Sequence, residues 1–111
     1  MTANLFAGLP ATAPAPATER FDTLLARPGL RIERIVSTGQ ASPPGFWYQQ
    51  EDAEWVVLLS GAARLRFADE ADARDLAPGD WLHIAARRRH RVDWTAPDLT
   101  TVWLAVHHTD D

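Results

Sequence analysis

The sequence predicts an all-β fold, a jelly-roll β-barrel or double-sheet sandwich of short antiparallel strands. Three observations lead there. Apolar residues come in short runs that alternate or are continuous over strand length, Gly, Pro and Asp clusters interrupt those runs at regular spacing, and no stretch repeats apolar residues at helical intervals. A chain of 111 residues has room for one domain, and 46% hydrophobic residues suffice for one core without staples.

Residues 1–18 read as an extended N-terminal arm, because the prolines of AGLPATAPAPAT lack N–H donors and restrict their neighbours; Asn4-Leu5-Phe6 ahead of them is a short apolar handle. The domain then occupies residues 19–111. ERFDTLLA (19–26) suits a helical turn or a strand and ends at Pro28-Gly29. LRIERIVS (30–37) alternates and is β-branched, TGQASPPG is a loop, and FWYQ (46–49) reads as an aromatic strand. EWVVLLS (54–60) is a strong apolar run closed by Gly61, ARLRF (63–67) alternates, and ARDL (73–76) is a brief strand before Pro78-Gly79-Asp80. WLHIA (81–85), HRVDW (90–94) and TTVWLAVH (100–107) complete the set of seven or eight.

Composition excludes several chemistries. No cysteine means no disulfide, no thiolate metal site and no cysteine nucleophile. No lysine means no Schiff base. A net charge of −4 argues against nucleic acid and anionic membranes as partners. No charged leader with an apolar run and no long apolar span is visible, so a cytoplasmic protein is expected.

The turns and strands over residues 30–107 resemble the cupin family. That family's first motif sets two histidines ahead of a glutamate and a glycine behind it; here Glu54, six residues and Gly61 keep the frame, while Tyr48 and Gln50 stand at the histidine positions. The second motif keeps its histidine as His90, after the turn Pro78-Gly79-Asp80, but Ala85, Arg87 and Trp94 replace its proline, glycine and asparagine. The resemblance implies a jelly-roll barrel with one cavity, and often a homodimer.

If one strand carries residues 48, 50 and 54, their shared parity points all three into the same space. With His90 they make the candidate ligand-binding set: Tyr48, Gln50, Glu54 and His90. The expected function is binding of a small organic molecule, with tryptophans as walls; Arg87, Arg88, Arg89 and Arg91 beside His90 suggest an anionic one, although pairing of that loop with Asp69, Glu70 or Asp72 is the plainer reading. The resemblance also leaves open a metal-dependent oxygenase or isomerase holding Fe, Mn, Ni or Zn through Glu54 and His90. An amide oxygen and a protonated phenol are poor substitutes for two imidazoles. A third reading is an interaction module. His83 is expected to face outward with Trp81, and His107 and His108 to be partly exposed polar tips. No reaction is legible.

Overall fold

The computed structural model describes residues 2–10 and 18–109. Among them are eight strands and no helix: β1 (Arg20–Arg27), β2 (Leu30–Ser37), β3 (Ala53–Ser60), β4 (Ala63–Phe67), β5 (Arg74–Leu76), β6 (Trp81–Ile84), β7 (His90–Thr95) and β8 (Thr101–His108). No helix is therefore long and apolar enough to cross a membrane. A five-stranded sheet in the order β1-β2-β8-β3-β6 faces a three-stranded sheet in the order β5-β4-β7, every pairing antiparallel. This is the all-β double-sheet jelly roll that the sequence predicts. ERFDTLLA resolves as a strand, with Glu19 just ahead of it.

Between the sheets lies a core of Val56, Leu58, Ala63, Leu65, Phe67, Leu76, Ile84, Trp103 and Ala105. Register explains the mixture of strands: Ile35 pairs with Trp103 and Trp103 with Leu58, so the odd residues of β2 and β8 share the inner face with the even residues of β3. Trp103 is fixed there by donating its indole N–H to Ser37 Oγ at 3.1 Å.

The frame residues serve turns. Gly61 sits at φ 84°, and a Cβ built on it would lie 2.2 Å from Thr101 Oγ1 and 2.6 Å from Thr101 Cα. Only glycine fits that approach. Arg87 occupies the position where the cupin motif has glycine, and it too is left-handed, at φ 62°.

One expectation is corrected. FWYQ is not a strand: only Tyr48 pairs, through an isolated bridge to His90, because Pro43 and Pro44 remove donors and Phe46 N–H closes a turn onto the Pro43 carbonyl at 3.0 Å. Tyr48, Gln50 and Glu54 therefore do not share a strand. The N-terminal segment meets this same subunit: Leu5 is half-buried, and buried Arg34, paired with Asp22, donates to the Leu5 and Ala7 carbonyls at 3.0 and 2.6 Å, while Phe6 stays exposed. Residues 11–17 of the expected arm lie outside the described residues.

Candidate functional site

Tyr48, Gln50, Glu54 and His90 all line one cavity, although four different local structures deliver them. Tyr48 exchanges two backbone hydrogen bonds with His90, N–H to carbonyl at 2.7 and 3.1 Å, so a loop residue is fastened beside the first residue of β7. Gln50 is held by its carbonyl, which accepts the Arg87 N–H at 2.6 Å. Glu54 points inward from β3. The Tyr48 and His90 rings stack with centroids 5.4 Å apart.

The cavity also contains residues that the sequence reading passed over. His107 is 4% exposed, not a polar tip, and lies directly opposite Glu54 in the β3–β8 register. Glu33 on β2 is diagonal to it and accepts a hydrogen bond from His107 Nε2 at 2.9 Å. Glu19, bonded by Ser37 Oγ, and Phe21 complete the polar and apolar rim. Alternation along Trp103, Ala105 and His107 was the available signal, since all three fall on the face that buries Trp103. The large sheet thus contributes Glu33, Glu54 and His107, and the small-sheet side contributes His90 and Tyr48.

Proton positions follow from the partners. His90 Nδ1 is 3.0 Å from the Arg88 carbonyl, which only accepts, so Nδ1 carries the proton and Nε2 keeps a lone pair. The neutral His107 ring donates its Nε2–H to the Glu33 carboxylate, which leaves the lone pair on Nδ1. Both lone pairs face the same oxygen: His90 Nε2 is 3.9 Å and His107 Nδ1 4.0 Å from Glu54 Oε1. These distances are too long for hydrogen bonds. Glu54 and His90 therefore do not bond each other, and an atom placed between them would meet acceptors on both sides.

Burial pushes the Glu54 carboxyl above its ordinary range, and positive charge on His107 or His90 would pull it back. Burial likewise raises Glu19, against the pull of its Ser37 hydrogen bond. Tyr48 is raised too, by burial first and then by the charges of Glu19, Glu54 and Glu33, so its phenol keeps its proton and is a donor in the cavity.

The metal expectation meets a geometric obstacle. Two imidazoles and a carboxylate are suitable donor types, yet ligands at about 2.1 Å from one ion stand roughly 3.0–3.4 Å apart when tetrahedral or cis-octahedral and about 4.2 Å apart when trans. Glu54 Oε1 lies 3.9 and 4.0 Å from the two nitrogens, and one oxygen cannot be trans to both. No group of three such side chains among the described residues could hold an ion as they stand. Glu54 and His90 alone do not make a metal site.

Other residues fall elsewhere. His83 faces outward as expected, its Nε2 3.1 Å from that of His108, and Trp81 beside it is 60% exposed. Of the five tryptophans only Trp103 lines the cavity; Trp55 and Trp81 meet on the outer face, Trp94 lies under Arg64, and Trp47 under Arg89 and Arg91. No arginine lines it. Arg88 pairs with Asp69 and Glu70, Arg91 with Asp93, and Arg87 with Glu51 at 3.6 Å, which is the plainer of the two readings of that loop. The cavity's ionisable lining is instead three glutamates, two histidines and a tyrosine.

No family model matches the chain, and no curated protein does. Among solved structures, a Ralstonia eutropha JMP134 protein proposed to be a mannose-6-phosphate isomerase is similar at 50% identity over 98% of each chain, with a TM-score of 0.93. A cupin superfamily protein from Desulfitobacterium hafniense DCB-2 shares 17% identity over 85% of this chain and 80% of its own, with a TM-score of 0.70. The polyketide cyclase RemF from Streptomyces resistomycificus shares 18% identity over 83% of this chain and 66% of its own, with a TM-score of 0.69. Fold, motif frame and these likenesses agree: the chain has the small cupin fold.

Proposed function

We propose that the barrel binds a small, uncharged or cationic organic molecule that presents hydroxyl or ammonium donors to Glu54, His90 and His107. One observation carries this reading. The two inward nitrogens are acceptors fixed by outer partners, and the carboxyl between them has no hydrogen-bond partner among the described residues. A ligand can supply donors to these groups, which open onto the cavity rather than being sealed in the core. Tyr48 and Gln50 add a phenol and an amide at the same wall.

The anionic ligand suggested by the arginine loop is set aside, because those side chains do not line the cavity and Glu19, Glu33 and Glu54 do. The same argument weighs against a phosphorylated sugar. The Ralstonia relative is proposed to act on one, but here a phosphate would enter among carboxylates with no arginine to receive it. The cavity volume of about 60 Å³ is well below the roughly 300–1,000 Å³ of drug-sized pockets, and it suits a fragment of a few heavy atoms.

Ligand-observed NMR with matched panels of polyols, ammonium ions, carboxylates and phosphates tests the reading. Saturable binding is expected from the first two classes, weakened at least tenfold in Glu54→Gln and His90→Gln. Binding confined to carboxylates or phosphates would refute it. A homodimer belongs to the same proposal, with the paired Trp55 and Trp81 on the outer face in support; sedimentation of wild type and Trp81→Glu checks it, and a wild-type monomer would remove it.

A further inference from the structure

Glu33 behind His107 is a feature that ligand binding does not need. A carboxylate that accepts one imidazole N–H, with the other nitrogen left bare and facing a cavity, is the arrangement of an oriented general base. Opposite that bare nitrogen stands a second proton carrier, Glu54, 4.0 Å away and directly across the strand pair. His107 and Glu54 are both buried, at 4% and 7% exposure, so bulk water does not compete for their protons.

We propose that His107, positioned by Glu33, takes a proton from a carbon next to a carbonyl in the bound ligand while Glu54 gives one to the carbonyl oxygen. In the forward step the C–H bond breaks and its electron pair becomes the new C=C. The carbonyl π pair moves onto oxygen, which takes the Glu54 proton, so His107 ends as imidazolium and Glu54 as carboxylate. The imidazolium then gives its proton to the same carbon, or to the former carbonyl carbon, while the Glu54 carboxylate takes an O–H proton of the enediol, so both side chains are restored and the exchanged, epimerised or isomerised product forms. No oxidant or second substrate enters.

The dimensions agree with the step. A reacting carbon roughly 3–3.5 Å from nitrogen and a carbonyl oxygen at hydrogen-bond distance from the carboxyl, about 2.6–3.2 Å, are both reachable when a C–C=O fragment arches over the 4.0 Å gap. Burial, which raises Glu54, favours the protonated form that donation requires. The imidazolium formed would be flanked by Glu33 and Glu54. His90 Nε2 remains free to accept a ligand hydroxyl. The inference rests on the binding reading above, narrows its ligand to a small hydroxy-carbonyl compound, and has Glu54 donate as the protonated carboxyl where a polyol or ammonium ligand would find it accepting.

Hydroxyacetone in D₂O is the probe. Loss of its methylene proton signal is followed by NMR, and binding is measured separately by saturation transfer. The wild-type protein is expected to speed exchange at least 100-fold over buffer, within the range of acid–base catalysis. His107→Gln should return exchange to the buffer rate, and Glu54→Gln should do so even when hydroxyacetone is raised enough to offset its weaker binding. Glu33→Gln, a positioning variant, should keep binding, lose about tenfold in rate and move the pH profile, which is shaped by Glu33, Glu54, His90 and His107 together. His83→Gln, on the outer face, should leave everything unchanged. Binding without exchange in the wild type overturns the inference and leaves the binding reading standing. Absence of binding overturns both, and unchanged exchange in His107→Gln overturns the assignment of the base.

Discussion

Replacing Gly61 by alanine separates the frame of the motif from its chemistry. At φ 84° any L-residue pays for the left-handed conformation, about 1–2 kcal/mol. The added Cβ would also lie 2.6 Å from Thr101 Cα, where real Cβ atoms stay beyond 3.0 Å, so the backbone must move by at least 0.4 Å, the difference between the two. Thr101 is fully buried on β8 and exchanges hydrogen bonds with Ala62 at 3.3 Å, so that shift is felt as overpacking, about 1–3 kcal/mol. Together these give a loss of about 2–5 kcal/mol, a large share of a domain's usual stability of roughly 5–15 kcal/mol. Gly79→Ala is the matched control: its φ is 94°, but nothing lies within 4 Å of the new Cβ, so only the conformational cost of about 1–2 kcal/mol applies. Urea unfolding followed by tryptophan fluorescence measures both. Equal losses for the two variants would refute the close approach of Gly61 to Thr101, and a loss under about 1 kcal/mol at Gly61 would refute the left-handed turn as well.

Three further outcomes follow from the site and its rim. Glu54→Gln should stabilise the protein increasingly as pH rises above about 4.5: a carboxyl raised by burial is at no disadvantage below its unfolded pKa and loses stability as pH climbs toward its folded one, whereas glutamine cannot ionise. Thermal melts at pH 4 and pH 7 check this, and a variant less stable at the higher pH would sink it. Protein purified without added metal should carry well under one equivalent of any transition metal and keep its Tm in a chelator; a stoichiometric metal, or a Tm lowered by several degrees, would overturn the spacing argument. Arg87→Gly should change stability by no more than about 0.5 kcal/mol, because relief of the left-handed φ offsets the extra freedom glycine gives the unfolded chain. A loss above about 1 kcal/mol in urea unfolding would contradict that.

Most strand segments and turns were readable because Gly61 and Pro78-Gly79-Asp80 are demanded by local sterics, which leave their mark in residue type. The cavity was readable in part, and for a reason that did not hold. Shared parity sent Tyr48, Gln50 and Glu54 to one space through a single strand, yet Tyr48 arrives through its bridge to His90 and Gln50 through the Arg87 N–H. Glu33 was hidden by its surroundings: in LRIERIVS the apolar residues Leu30, Ile32 and Val36 suggest the even face as the buried one, whereas Glu33 and Ile35 line the cavity from the odd face. Burial of the even face comes partly from the N-terminal segment clamped by Arg34, a contact between residues far apart in sequence that no local pattern announces.

His107 changes what the missing motif histidines mean. Tyr48 and Gln50 leave the first motif without imidazoles, but the fold still presents two inward-facing imidazole nitrogens around Glu54, because β8 lies beside β3 and places His107 opposite the glutamate. The gain comes with a different second partner: His107 is tied to a carboxylate and His90 to a backbone carbonyl. If His107 takes a proton, the Glu33 carboxylate lies against the imidazolium that forms. His90 has a carbonyl dipole in that place. The two nitrogens that face Glu54 are therefore unequal, and the asymmetry predicts that His107→Gln costs proton transfer while His90→Gln costs binding. Exchange and binding measured on both variants decide it: equal effects of the two substitutions on both readouts would mean that Glu33 contributes nothing beyond packing.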